Sequence, residues 1–312
     1  MNIVIAYDGS EQAQGAIDDL PRAGMPRSAN TLVVSVGETL LPTVPTPIAD
    51  ITQGAMTHRV VGTLAQARAE TVQAIEDTRR LTQEASRRIH QHFPQWGVYV
   101  EPSLGIAADV VIQKAADWRA DLIVVGSHGR SALGRFVLGS VSKRVATEAH
   151  CSVRVAREVK ERGDAPIHVV LGVDGSLGAD AAVHGVAARS WPVGTEVRVV
   201  IVDSTLRPSG TIGLLPTAAA WVRESNEEQV DKAHAMLEHA ADTLLDAGLL
   251  VSTRRRSGVP ADILNEEARA WDASSIFVGA LGFARAHGHR HAGSVASALI
   301  THGSCPVEIV RA

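Results

Sequence analysis

Leu122-Ile123-Val124-Val125-Gly126-Ser127-His128-Gly129, a nine-residue spacer and Gly139-Ser140-Val141-Ser142 form one continuous pattern. Four aliphatic residues in a row read as a buried strand, the glycines as the turn at its carboxyl end, and the Gly-Ser step as the opening of a helix. The pattern returns near the C-terminus as Ile276-Phe277-Val278-Gly279-Ala280-Leu281-Gly282, a ten-residue spacer, and Gly293-Ser294-Val295. A pattern used twice predicts a tandem repeat, which other landmarks can check.

They agree in order. Ile5-Ala6-Tyr7-Asp8-Gly9-Ser10 answers to Leu171-Gly172-Val173-Asp174-Gly175-Ser176, and Gly105-Ile106-Ala107-Ala108-Asp109 to Gly258-Val259-Pro260-Ala261-Asp262. His150-Cys151-Ser152-Val153 matches Ser304-Cys305-Pro306-Val307 at the end of each half. Between the halves lies a charged, turn-prone stretch, so the expected organisation is a first domain over 1–156, a solvated linker over 157–165 and a second domain over 166–312.

The 312 residues suit two domains that each bury a core without staples. A net charge of −4 lacks the basic face that nucleic-acid binding requires, and no apolar run reaches the ~18 residues of a membrane span. The start at Asn2-Ile3-Val4 carries no basic leader, and the two cysteines, Cys151 and Cys305, read as small buried thiols; the expected compartment is the cytoplasm.

Short β-branched runs alternate with segments of helical period, which predicts α/β architecture with a parallel, doubly wound sheet in each half. In the first half the strands fall at about 2–7, 31–36, 97–101, 121–126 and 152–156. Leu81, Ala85 and Ile89, and in the second half Val230, Ala233, Leu237, Ala240 and Leu244, are core stripes of long helices. Before each long helix lies a loop-like segment, with Pro42, Pro45 and Pro47 in one half and Pro208, Gly210, Gly213 and Pro216 in the other, placed to cover a ligand or simply to line the surface.

A phosphate needs several converging N–H donors, which a helix N-terminus opened by small residues supplies. Gly139-Ser140-Val141-Ser142 has that form, with Ser140 as N-cap or hydroxyl donor; Gly126 and Gly129 let a backbone approach a nucleotide, and Arg130, Arg135, Lys143 and Arg144 are placed to balance charge. It is not a Walker A loop, because Arg135-Phe136 follows Gly134 where Lys and Ser or Thr are required.

The chain resembles the universal stress protein family, on the Gly-x2-Gly-x9-Gly-Ser pattern, the Asp that ends strand 1 and the closing Cys-Ser-Val or Cys-Pro-Val strand, over nearly its whole length and twice. The resemblance implies two Rossmann-like domains with strand order 3-2-1-4-5 and an ATP site beside strands 1 and 4. It places Asp8 and Val36 near adenine and ribose, Gly126 and Gly129 along the ribose and phosphates, and Gly139, Ser140 and Val141 at the β and γ phosphates. Mg2+ would accompany the ATP. In the second half Asp174, Val202, Gly279, Gly282, Gly293, Ser294 and Val295 match, but one extra spacer residue can move donors by up to ~3.5 Å and makes that site degenerate. His287, His289 and His291 alternate on that spacer; without a Cys or carboxylate beside them they favour a polar loop over a metal site.

Three functions stay open: an ATP-binding stress-response switch acting on a protein partner, a nucleotide-independent scaffold, and a weak ATPase. Asp8 and Asp174 are the only acids expected to face the sites, and either can serve a base or simply cap the helix that follows. Family dimers pair through the last strand, so Val153-Arg154-Val155 and Val307-Glu308-Ile309 are expected to join the halves as an intramolecular pseudo-dimer, with Arg154 near Glu308; a further homodimer is open.

Overall fold

The structure, a computed structural model, describes residues 1–37, 55–129, 138–157, 165–203, 216–282 and 292–311, with backbone alone over 55–65 and 216–229. Arg130, Arg135, His287, His289, His291, Pro42, Pro45, Pro47, Pro208, Gly210 and Gly213 lie outside the described residues.

The first half runs β1 (Asn2–Ala6), α1 (Glu11–Asp18), β2 (Asn30–Gly37), α2 (Ala55–His92), β3 (Gly97–Leu104), α3 (Ala107–Asp117), β4 (Leu122–Val125), α4 (Ser140–Glu148) and β5 (Ser152–Val155). The second repeats it as β6 (His168–Val173), α5 (Leu177–Ala187), β7 (Glu196–Asp203), α6 (Pro216–Asp246), β8 (Leu250–Ser257), α7 (Pro260–Ala270), β9 (Ser275–Gly279), α8 (Ser294–His302) and β10 (Val307–Val310). The expected strands stand within a residue or so of these bounds, except that β3 continues three residues further, to Leu104.

The strands form one ten-stranded sheet in the order β3-β2-β1-β4-β5-β10-β9-β6-β7-β8. Each half keeps the order 3-2-1-4-5, and the pairs within each half are parallel. β5 and β10 meet antiparallel, so the halves share a sheet but point opposite ways.

Alternation along the strands builds the layers. Ile3 and Ile5 face α1 and α2 in one core, while Val4 between them faces α3 and α4 in another. That second core does not stop at the joint: Val153 and Val155 share it with Val307, Ile309, Leu299 and Ile300. The expected stripes pack as core, with Ala85, Ile89, Ala240 and Leu244 each at most 2% exposed.

Turn chemistry fixes the entry to each first helix. Gly9 and Gly175 take φ of +78° and +75°, where a Cβ is strained. Ser10 and Ser176 then act as N-caps, accepting from the Ala13 and Ala179 amides at 3.2 and 3.1 Å. The end of β4 allows no side chain: a Cβ on Gly126 would stand 2.9 Å from the carbonyl carbon and oxygen of Gln12 in α1. Gly279 is tighter still against Gly178, at 2.3 Å.

Each half also caps a helix of the other. Arg311, just past β10, donates to the Ala146, Thr147 and Cys151 carbonyls at 2.7, 3.4 and 3.1 Å, at the C-terminus of α4. Arg157, just past β5, donates to Ile300 at 2.5 Å near the end of α8. A cation suits both places, because helix C-termini leave unpaired carbonyls and partial negative charge. At the described ends of the expected linker, Arg157 is engaged with α8, while the exposed Ala165 and the neighbouring Pro166 offer carbonyls that accept from Arg22 at 3.0 Å each. No disulfide joins Cys151 and Cys305; Cys305 is buried, and burial of the partly exposed Cys151 pushes its thiol up to about 11.

Two outcomes follow. Arg311→Ala strands carbonyls at the end of α4 and is expected to cost about 1–3 kcal/mol, read as a lower urea midpoint; an unchanged midpoint contradicts the cross-cap. Gly126→Ala forces a methyl onto the α1 backbone and is expected to cost about 1–3 kcal/mol in the same assay with no nucleotide present, whereas a neutral effect would mean that α1 yields freely.

Candidate functional site

The carboxyl ends of β1, β2 and β4, with the starts of α3 and α4 and one face of α2, enclose a cleft of about 500 Å³. Asp8, Val36, Gly126, Gly129, Gly139, Ser140 and Val141 all line it, so the predicted site residues with described coordinates converge. Its volume falls within the range of small-molecule sites. The switch in strand order between β1 and β4 is where an open parallel sheet leaves such a crevice.

Asp8 organises the floor. Its Oδ1 accepts from the Ser10 amide at 3.0 Å and from the Ser10 hydroxyl at 2.6 Å, which is the turn-and-cap role. Its Oδ2 lies against Gly129, 2.6 Å from where a Cβ would stand, so residue 129 must be glycine for the carboxylate to sit there. Gly139 donates to the Ser127 carbonyl at 2.8 Å, and a Cβ on it would come 3.1 Å from the His128 Cα. The missing side chains of Gly126, Gly129 and Gly139 thus make room first for α1, for Asp8 and for the neighbouring loop, rather than for a ligand.

The helix opening differs by one position from the expectation. Gly139 is the N-cap of α4, with φ −64° and ψ 150°, and Ser140 is the first helical residue, exposed and making no cap bond. Lys143 makes the first intrahelical bond, to the Gly139 carbonyl at 2.9 Å. The amides of Ser140, Val141 and Ser142 therefore precede the ladder, at the positive end of the helix dipole. Arg144 does not balance charge in the cleft: it pairs with Asp109 and with Glu148. Lys143 is exposed and is absent from the lining.

Several lining residues were not among those predicted. Ala74, Asp77 and Thr78 reach the cleft from α2, and Tyr7, His128 and Ser142 from the loops and α4. The Ser142 hydroxyl donates to the Gly126 carbonyl at 2.6 Å and ties the helix start to the strand end. Tyr7 donates to Glu84 at 2.7 Å, and burial followed by that carboxylate holds its phenol well above the ordinary range. Ser127 Oγ and His128 Nδ1 lie 3.1 Å apart. Tyr7, His128 and Ser142 stand inside the quoted motifs and were within reach of the sequence; the α2 residues were not, because the stripe predicts only which face is buried.

The second half holds an equivalent cleft of about 480 Å³, lined by Asp174, Val202, Gly279, Gly282, Gly293, Ser294 and Val295. Asp174 accepts from Ser176 at 3.1 Å and lies against Gly282 as Asp8 lies against Gly129. Gly293 donates to the Ala280 carbonyl at 2.7 Å, and Ser297 starts the α8 ladder at 2.9 Å. The side chains differ: Leu281 replaces His128, Ala280 replaces Ser127, Ala296 replaces Ser142 and Val173 replaces Tyr7. Described α6 residues are absent from the lining. Because the β5–β10 joint is antiparallel, the two clefts open on opposite edges of the sheet. Among the described residues there is no group of three or more His, Cys, Asp or Glu suited to a metal, and no helix long and apolar enough to cross a membrane.

Known proteins share this architecture. A universal stress protein of Methanocaldococcus jannaschii is 37% identical over 81 residues, 25% of this chain and 48% of that protein, so the match spans about half of that relative. One from Thermus aquaticus is 29% identical over 155 residues, 50% of this chain and 97% of its own length. The solved universal stress protein of Archaeoglobus fulgidus covers 99% of this chain and 98% of its own, with a TM-score of 0.60 at 17% identity, a likeness of fold. The profile of the universal stress protein family matches residues 1–157 and again 167–311. The chain belongs to the universal stress protein family, with the family unit present twice.

Proposed function

We propose that the first cleft binds ATP and that the chain is a nucleotide-dependent regulatory protein of the stress response. The carrying observation is the convergence of Asp8, Val36, Gly126, Gly129, Gly139, Ser140 and Val141 on one cleft at which the amides opening α4 precede the helical ladder. Adenine and ribose lie between Val36 and Asp8, and the phosphates run past Gly129 to the start of α4. Arg130 follows Gly129 in sequence and is assigned to the phosphate side. Mg2+ would accompany the ATP and neutralise charge on its phosphates. Cysteines not joined in a disulfide and the need for ATP suit the cytoplasm.

Regulation follows if bound nucleotide changes the surface beside Gly129 that a partner protein meets. The second cleft keeps the backbone turn and loses His128, Ser142 and Tyr7, polar side chains that line the first, so it holds nucleotide more weakly or not at all.

A scaffold without nucleotide is the second reading, favoured by one observation: packing alone explains the glycines at 126, 129 and 139. Ser140→Asp separates the readings, since a carboxylate at the first turn of a helix suits the dipole and spares the fold but repels phosphate. Calorimetry with Mg-ATP is expected to give one site per chain, weakened at least tenfold by Ser140→Asp and unchanged by Ser294→Asp. No binding, or binding indifferent to Ser140→Asp, overturns the ATP reading. Hydrogen exchange at the start of α4 is expected to slow on adding Mg-ATP, and unchanged exchange across the whole chain despite binding rules out the switch.

A further inference from the structure

Across the antiparallel joint Val155 faces Val307, Arg154 faces Glu308 and Val153 faces Ile309. In the repeat, Val153 is the equivalent of Val307, Arg154 of Glu308 and Val155 of Ile309. The pseudo-twofold axis between the halves therefore passes through the Arg154–Glu308 pair, the one place where a residue faces its own counterpart.

On a true twofold a side chain there would meet a copy of itself. Here it meets the opposite charge, and both are sealed from water, with side chains 0% and 1% exposed. Arg154 also pairs with Asp19 of its own half at 2.6 Å, and Glu308 with Arg189 of its own half. Arg189 then reaches across to the Ala23 carbonyl at 2.6 Å. Each half is thus balanced internally but presents a different sign at the axis. Two first halves would set guanidinium against guanidinium, and two second halves carboxylate against carboxylate, in a buried ladder where like charges directly opposite destabilise.

We propose that the joint is a charge-coded docking surface that accepts the unlike half and rejects the like one. Its partner is the other half of this chain; pairing of like halves between copies is excluded. The sign at the axis, not the mere presence of ions, carries the selection.

The test gives the second half the charge layout of the first within the intact chain. Arg189→Glu with Glu308→Arg conserves net charge and keeps an internal pair, but sets two guanidinium groups at the axis. The comparator, Arg189→Gln with Glu308→Gln, removes the same ions without imposing a like pair. Hydrogen exchange at Val153, Val155, Val307 and Ile309 is expected to speed at least 100-fold in the reversed chain and less than tenfold in the neutral one. Exchange in the reversed chain no faster than in the neutral one overturns the proposal. If the reversed chain fails to fold at all, adding Arg154→Glu and Asp19→Asn, which restores opposite signs at the axis, decides: recovery of slow exchange supports the code, and no recovery refutes it.

Discussion

Arg154 has no exposed surface, and a buried guanidinium is tolerated only where carboxylates meet it. Asp19 from its own half and Glu308 from the other supply them, and the coulombic attraction of both outweighs the desolvation that burial imposes, so the guanidinium is held above its usual range. Everything that makes this chain one body converges there. β5 and β10 zip beside the ion cluster, the core against α3 and α4 runs on into the core against α7 and α8, and Arg157 and Arg311 cap helices across the joint. Removing one partner would leave a charge buried without compensation, which is far more costly than never having the pair.

The same joint sets the functional geometry. Antiparallel pairing sends the carboxyl ends of the two half-sheets to opposite edges, so no single ligand spans both clefts. Each cleft is built on the same scaffold logic: an Asp at the end of a strand, a glycine that lets its carboxylate lie flat, and a helix opened by Gly-Ser. What separates the clefts is side-chain chemistry on that shared backbone. His128, Ser142 and Tyr7 make the first cleft polar where Leu281, Ala296 and Val173 make the second aliphatic. A duplicated unit that keeps its turns while changing its lining has kept what folding requires and altered the side chains that face its cleft.

Much of this was legible in the sequence. Repeated landmarks gave two halves of α/β order, and the strand-glycine-helix pattern located the clefts, because a buried strand, a positive φ and a helix start each demand particular residues. That Arg154 stands near Glu308 followed only from the resemblance, because family dimers pair through the last strand; the antiparallel register that sets them face to face did not. Long-range competition was not legible. Arg144 looks free on a helix until Asp109 of α3 is beside it, and Arg157 looks like linker until α8 ends against it. Asp77 and Thr78 line the cleft because of where α2 crosses the sheet, which no periodicity encodes. Nor can a sequence tell whether a glycine makes room for a ligand or for a helix; at Gly126 it is α1.

The most direct test of the central claim, that one of two backbone-equivalent clefts is the nucleotide site, is photoaffinity labelling of the intact protein with an azido-adenine analogue of ATP, followed by peptide mapping. The account predicts label on first-half peptides that line the cleft, around Val36 or the start of α3, and its loss when unmodified ATP competes. Label confined to peptides around Val202 and Pro260, or label that ATP does not displace, would contradict it.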